Sequence, residues 1–126
     1  MRMHNPLEHL VLIADDDPDV RMLVSTGLGR LGYRVIEACD GAEALELIRG
    51  QAPSVALLDI NMPRLDGVEV AEQLRADECP IPFIFITAQT GRANLDRAIA
   101  MLPTGYVSKP FQLEKLREQV RAAIVD

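Results

Sequence analysis

Three carboxylates, one hydroxyl and one ammonium stand at the ends of short apolar runs. Asp15 and Asp16 follow the run His9 to Ala14, and Asp59 follows Val55 to Leu58. Thr87 closes Ile81 to Thr87, and Lys109 comes directly after Gly105 to Ser108. Each has an ordinary explanation: Asp and Thr serve turn chemistry at strand ends, and a single Lys is usually solvated surface. Gathered within a few ångströms, however, three carboxylates repel one another and call for a hard divalent cation. Oxygen ligands with retained waters favour Mg²⁺. A carboxylate beside Mg²⁺ can attack a phosphoryl group and form an aspartyl-phosphate, while the metal offsets charge on the transferring oxygens. An ammonium and a hydroxyl suit the remaining phosphoryl oxygens. Lys109 can also pair with the acids themselves, in a different state.

The elements that must bring these groups together are legible in the pattern. Val55-Ala56-Leu57-Leu58 reads as a strand buried on both faces, as in a parallel sheet covered by helices. Asn61, Pro63, Asp66 and Gly67 then form a loop. A helix starts at Asp66, with Glu69 three residues on as its capping-box partner. The first run is followed by Asp17 as N-cap and Pro18 at the first helical position, which assigns Asp17 to capping rather than to ligation. Val20, Leu23, Val24, Leu28 and Leu31 recur at helical spacing until Gly32 closes the helix. Tyr33 to Ala38 alternates and contains β-branched residues, so it predicts an edge-side strand. Asp40 caps a second helix with an Ala42, Leu45, Ile48 stripe, ended by Gly50 and Pro53. Val68, Ala71 and Leu74 mark the third helix, which ends near Asp77. Residues 93–102 give a weaker fourth, with a sparse stripe of Leu95, Ile99 and Leu102. Leu113, Leu116, Val120 and Ile124 carry the fifth. Five strands alternating with five helices through short connections require right-handed crossovers and a parallel sheet. All strand C-terminal ends then lie on one edge, where such folds bind ligands.

Composition narrows the function. At 126 residues, 48% hydrophobic and 25% charged, the chain reads as one domain, residues 1–126, with no linker, repeat or second unit. A net charge of −6, with acids bunched at Asp15, Asp16, Asp17 and Asp19, argues against duplex nucleic acid or an anionic membrane as a direct partner. Cys39 and Cys79 show no metal-ligand spacing and are expected as two reduced thiols of a cytoplasmic protein. The stretch Met1 to Asn5 has no apolar h-region, and no apolar run approaches membrane-spanning length.

Taken as a set, Ala14-Asp15-Asp16-Asp17-Pro18 with Arg21, Leu58-Asp59-Ile60-Asn61-Met62-Pro63 with Asp66-Gly67, Thr87-Ala88 and Lys109-Pro110-Phe111 resemble the receiver domain of two-component response regulators. That family includes single-domain chemotaxis regulators. The resemblance runs from about His9 to Ile124 and implies a flavodoxin-like (βα)5 fold, three-layer α/β/α, with a five-stranded parallel sheet of order 2-1-3-4-5. It implies that Asp59 takes phosphate from a phospho-histidine on a sensor histidine kinase or histidine phosphotransfer protein. Asp16, Asp59 and the Asn61 carbonyl would ligate Mg²⁺, and Asp15 would act through a metal-bound water. Thr87, Ala88 and Lys109 would surround the phosphoryl group. Tyr106 matches the aromatic switch position, expected to turn inward as Thr87 moves. The family pattern also implies a cis bond between Lys109 and Pro110. Asn61 and Gln89 occupy positions that the family uses to tune phosphate lifetime. One departure stands out: Leu102-Pro103 occupies the place where receivers often carry Gly-Ala, and Pro103 is expected to stiffen the exit of the fourth helix and remove a donor.

The expectation is therefore a phosphorylation switch rather than an enzyme, read out on the fourth helix, fifth strand and fifth helix. A single-domain regulator acting through protein contact is preferred to a receiver with a fused output domain, and a phosphorylation-linked dimer stays open. Two alternatives are weighed. An aspartate-nucleophile phosphatase of the haloacid-dehalogenase type would carry Asp-x-Asp after its first strand and a substrate cap, whereas the strand-three site here reads Asp59-Ile60-Asn61. A phosphorylation-independent scaffold would not need the full set of acids, hydroxyl and ammonium.

Overall fold

In the computed structural model, which describes residues 4–88 and 91–124, the strands are β1 (Leu10–Ala14), β2 (Arg34–Ala38), β3 (Val55–Asp59), β4 (Phe83–Thr87) and β5 (Gly105–Ser108). They alternate with α1 (Pro18–Gly29), α2 (Gly41–Gln51), α3 (Gly67–Ala76), α4 (Arg92–Ala100) and α5 (Leu113–Ala123), and a 3-10 turn at Pro6–Glu8 precedes them. All pairings are parallel, in the order β2-β1-β3-β4-β5. This is the expected winding, with β2 at the edge.

The three inner strands are buried throughout their length, which is why they read as unbroken apolar runs. Successive side chains go to opposite faces. Leu12, Ala14, Ala56, Leu58, Phe83 and Phe85 share one core with Leu45, Ile48, Val68, Leu74 and Ala98 of α2, α3 and α4. Val11, Ile13, Val55, Leu57, Ile84 and Ile86 share the other with Val24, Leu28, Leu116 and Val120 of α1 and α5. Helices thus cover both faces, and only the strand ends are left to carry polar chemistry.

The helix starts follow the sequence closely. The Asp17, Asp40 and Asp66 side chains accept from Asp19, Glu43 and Glu69 N–H respectively, and the Asp66–Glu69 capping box is complete. The ends differ from expectation. Gly32, at φ 100°, lies three residues beyond the end of α1, and α2 runs through Gly50 to end at Ala52, which takes the left-handed conformation at φ 45°. A helix stops where packing and the next strand require it, and a non-Gly residue can be held there at a cost. The fourth helix also corrects its predicted stripe: Ala98 is its buried residue, while Ile99 and Leu102 face solvent at 55% and 76% exposure. Leu102 is left-handed at φ 52°, so it occupies a conformation that glycine adopts more readily. In α1, Leu23 of the predicted stripe is likewise half exposed, with Val24 and Leu28 doing the packing.

Among the described residues no helix is long and apolar enough to cross a membrane. Cys39 and Cys79 are free thiols. The Lys109–Pro110 peptide is cis. Gln89 lies outside the described residues.

Candidate functional site

The acids meet because β1 and β3 are neighbours and end side by side, with Ala14 paired to Leu58. One residue further on, Asp15 and Asp59 are both buried, and Asp16 emerges into solvent. One carboxylate oxygen from each of Asp15, Asp16 and Asp59 lies within 4.8 Å of the others. Local bonds hold them in place. Asp15 Oδ1 accepts from Asp17 N–H at 2.9 Å, and Asp59 Oδ1 accepts from Asn61 N–H at 3.2 Å. The loop after Asp59 is closed by Ile60 N–H to Ile86 O and by Gly67 N–H to Ile60 O. Ile60 and Met62 plug it into the core.

Lys109 arrives from the far side of the sheet. Its N–H donates to Thr87 O at 2.7 Å, which fixes the start of its side chain beside the end of β4. Its ammonium then lies 2.7 Å from Asp15 Oδ2 and 3.3 Å from Asp59 Oδ2. The approach to Asp15 is close but poorly angled, so this buried oxygen has charge compensation without a good hydrogen bond. One ammonium between two buried carboxylates leaves an excess negative charge. Burial, and then the Asp15 charge, push the Asp59 carboxyl up from 3.8 to about 6, against the pull of Lys109. Lys109 is also held above its ordinary range: burial draws it down, but the Asp15 and Asp59 carboxylates outweigh burial.

This donor set fits an oxygen-ligated divalent cation. It consists of hard carboxylates, carries more negative charge than Lys109 neutralises, and includes a buried oxygen without a well-angled donor. Asn61 is exposed at the mouth of the site.

The other predicted residues surround the same edge. Thr87 is buried, and its hydroxyl donates to Ala88 O at 2.9 Å, so it is turned toward its own backbone. Ala88 is small and exposed beside it. Tyr106, half-buried next to Phe85 in the register, packs against the core on the α3 and α4 side, and burial raises its hydroxyl above the usual range. Asp17 caps α1 and takes no part in the acidic cluster. Arg21, which belongs to the sequence motif, donates from Nη1 to Asp15 O at 2.7 Å. Two contacts were not foreseen. Arg75 Nη2 donates to the carbonyls of Met101 and Leu102 at 2.7 and 3.3 Å, and Arg97 pairs with Asp66 at 3.2 Å. Both tie α4 to α3, across elements that no sequence spacing relates.

Comparison with known proteins matches this fold. Residues 11–121 match the family model of the response regulator receiver domain. Response regulator MprA of Mycobacterium sp. (strain KMS) is 41% identical over 117 residues, covering 90% of this chain and 50% of the relative. A probable transcriptional regulator, ycf27 of Guillardia theta, is 39% identical over 114 residues, covering 90% and 44%. The chain therefore spans about half the length of these curated relatives. Among solved structures, the chemotaxis protein CheY4 of Vibrio cholerae superposes with a TM-score of 0.83 at 30% identity, covering 92% of this chain and 98% of that one.

Proposed function

The chain belongs to the response regulator receiver family, and on that footing we propose that Asp59 is its phospho-acceptor. An Asp59 carboxylate oxygen attacks the phosphorus of a phospho-histidine on a sensor histidine kinase or histidine phosphotransfer protein. The new O–P bond forms as the P–N bond breaks, and the imidazole nitrogen leaves with that electron pair. With its carboxyl raised to about 6, Asp59 is mostly ionised at neutral pH yet more basic than an ordinary aspartate. Asp16, Asp59 and the Asn61 carbonyl would hold Mg²⁺, with Asp15 acting through a water. When bound, the ion supplies positive charge to the phosphoryl oxygens.

The carrying observation is the convergence of Asp15, Asp16 and Asp59 within 4.8 Å, bridged by Lys109. Lys109 is then exchanged from the carboxylates to a phosphoryl oxygen, and the Thr87 hydroxyl from Ala88 O to another. Withdrawal of Thr87 leaves room for the Tyr106 ring to turn inward. A phosphoryl group adds about two negative charges and three acceptor oxygens, enough to bias a nearly balanced element by about 1–3 kcal/mol. The element that answers is α4, β5 and α5. Here α4 buries only Ala98 among its described residues and is held to α3 by arginines. A downstream protein or an output domain reads that surface. The chain is a signalling switch rather than an enzyme with a turnover substrate, and we assign it to the cytoplasm.

The test is intact mass after incubation with acetyl phosphate and Mg²⁺. The expected result is a single phosphate-sized gain, absent in Asp59→Asn and absent with chelator. No gain, together with failure to bind beryllofluoride, would overturn the reading in favour of a phosphorylation-independent scaffold.

A further inference from the structure

We infer that Arg21 is a positioning residue for the metal-binding acids, an inference that rests on the receiver reading above. Arg21 projects from the first turn of α1 and is only 19% exposed in its side chain. Its Nη1 donates to Asp15 O at 2.7 Å, and its Nε lies 3.3 Å from Glu37 Oε1 on β2. One planar fork therefore ties the end of β1 to α1 and to β2, the strand on β1's other side from Asp59. A guanidinium can meet two acceptors in two directions at once, which a lysine cannot reproduce.

The acceptor is what gives the contact consequence. The Asp15 carbonyl belongs to the peptide joining Asp15 to Asp16, so holding it fixes the plane from which the Asp16 side chain departs. The other two acids have their own restraints. Asp15 is pinned by Asp17 N–H and Lys109, and Asp59 by Asn61 N–H and Lys109. Asp16 is exposed, and among the described residues its carboxylate has no hydrogen bond or ion pair to aim it. Its approach to within 4.8 Å of Asp15 and Asp59 is thus set by the backbone, and Arg21 grips that backbone from the side chain of another element.

Position and charge predict opposite signs. Removing a cation near an acidic site should by charge alone tighten binding of a divalent cation, whereas loss of positioning should weaken it. The experiment is calorimetric titration of the whole chain with MgCl₂ at fixed pH and ionic strength. It compares wild type, Arg21→Ala and Arg21→Lys, with Asp16→Ala as reference and thermal unfolding without Mg²⁺ to confirm folding. Arg21→Ala is expected to weaken Mg²⁺ about tenfold, as for other outer-shell partners, and Arg21→Lys to recover part of that loss. Unchanged or tighter Mg²⁺ binding in folded Arg21→Ala would overturn the inference. If Arg21→Ala does not fold, Arg21→Lys decides: weaker binding supports positioning, and wild-type affinity overturns it. A wild type that binds no Mg²⁺ would instead sink the proposed Mg²⁺-dependent phospho-acceptor function, and this inference with it.

Discussion

Replacing Asp59, the proposed phospho-acceptor, should make the protein more stable, and the structure sets the size of the gain. Asp59 is buried, and its carboxyl is raised from 3.8 to about 6, first by burial and then by the Asp15 charge. The folded state therefore holds a proton on Asp59 that the unfolded chain releases at lower pH. Between about pH 4 and 6 the native form binds more protons than the unfolded form, so stability falls as pH rises through that window and is level above it. A rise of about two pH units, at about 1.4 kcal/mol each, places up to about 3 kcal/mol of unfavourable charge burial in the native state at pH 7. Asp59→Asn removes that charge and keeps the shape. Lys109 retains Asp15 as its partner at 2.7 Å. Because the rise to about 6 already includes the pull of Lys109, the variant should gain up to about 3 kcal/mol at pH 7.5 and roughly nothing at pH 4. Urea unfolding with chelator present, run on both proteins from pH 4 to 7.5, measures the difference and cancels groups common to both. A variant less stable than wild type at pH 7.5, or a difference that does not change with pH, would refute the reasoning.

Two further substitutions probe the scaffold under the site. Gly67→Ala would drive a Cβ into the Asp59 carbonyl oxygen and within 3.1 Å of Ile60 Cα. Because those atoms are backbone, the expected loss is about 1–3 kcal/mol in urea unfolding, accompanied by slower labelling with acetyl phosphate as Asp59 is displaced. Leu102→Gly should do the reverse. It relieves a left-handed φ of 52° at an exposed position, worth about 1–2 kcal/mol. The greater freedom of glycine in the unfolded chain takes back about 0.5–1 kcal/mol. A net gain of roughly 0.5 kcal/mol is expected, and a clear loss of stability would show that the Leu102 side chain packs in a way its exposure conceals.

How much could be read in advance follows the range of each interaction. Doubly buried strands announce themselves as apolar runs, and N-caps are local, so β1, β3 and β4 and the caps at Asp17, Asp40 and Asp66 were legible. The gathering of Asp15, Asp16, Asp59, Thr87 and Lys109 followed from topology alone, because a parallel sheet puts its strand ends on one edge. The strand order and the cis bond came from the family resemblance. What stayed hidden is either non-local or a choice between near-equal states. Ala52 rather than Gly50 ends α2, because the turn into β3 fixes the stopping point and a left-handed alanine is affordable there. The exposure of Ile99 and Leu102 could not be told from a helical stripe, since α4 presents Ala98 to the core instead. The Arg75 and Arg97 ties join α3 to α4 through long side chains whose reach no spacing encodes. Whether Lys109 faces solvent or the acids was open in sequence, and so was the direction of the Thr87 hydroxyl. The folded chain pairs Lys109 with Asp15 and Asp59 and turns Thr87 toward Ala88.

The central claim is that a phosphoryl group becomes covalently attached to Asp59, and chemical trapping tests it most directly. The protein would be treated with acetyl phosphate and Mg²⁺, reduced with borohydride, digested and mapped by mass spectrometry. An acyl phosphate is reduced to the alcohol, so the account predicts homoserine at position 59 and aspartate retained at positions 15 and 16. Homoserine at 15 or 16, or phosphate recovered on a serine, threonine or histidine with position 59 unmodified, would contradict it.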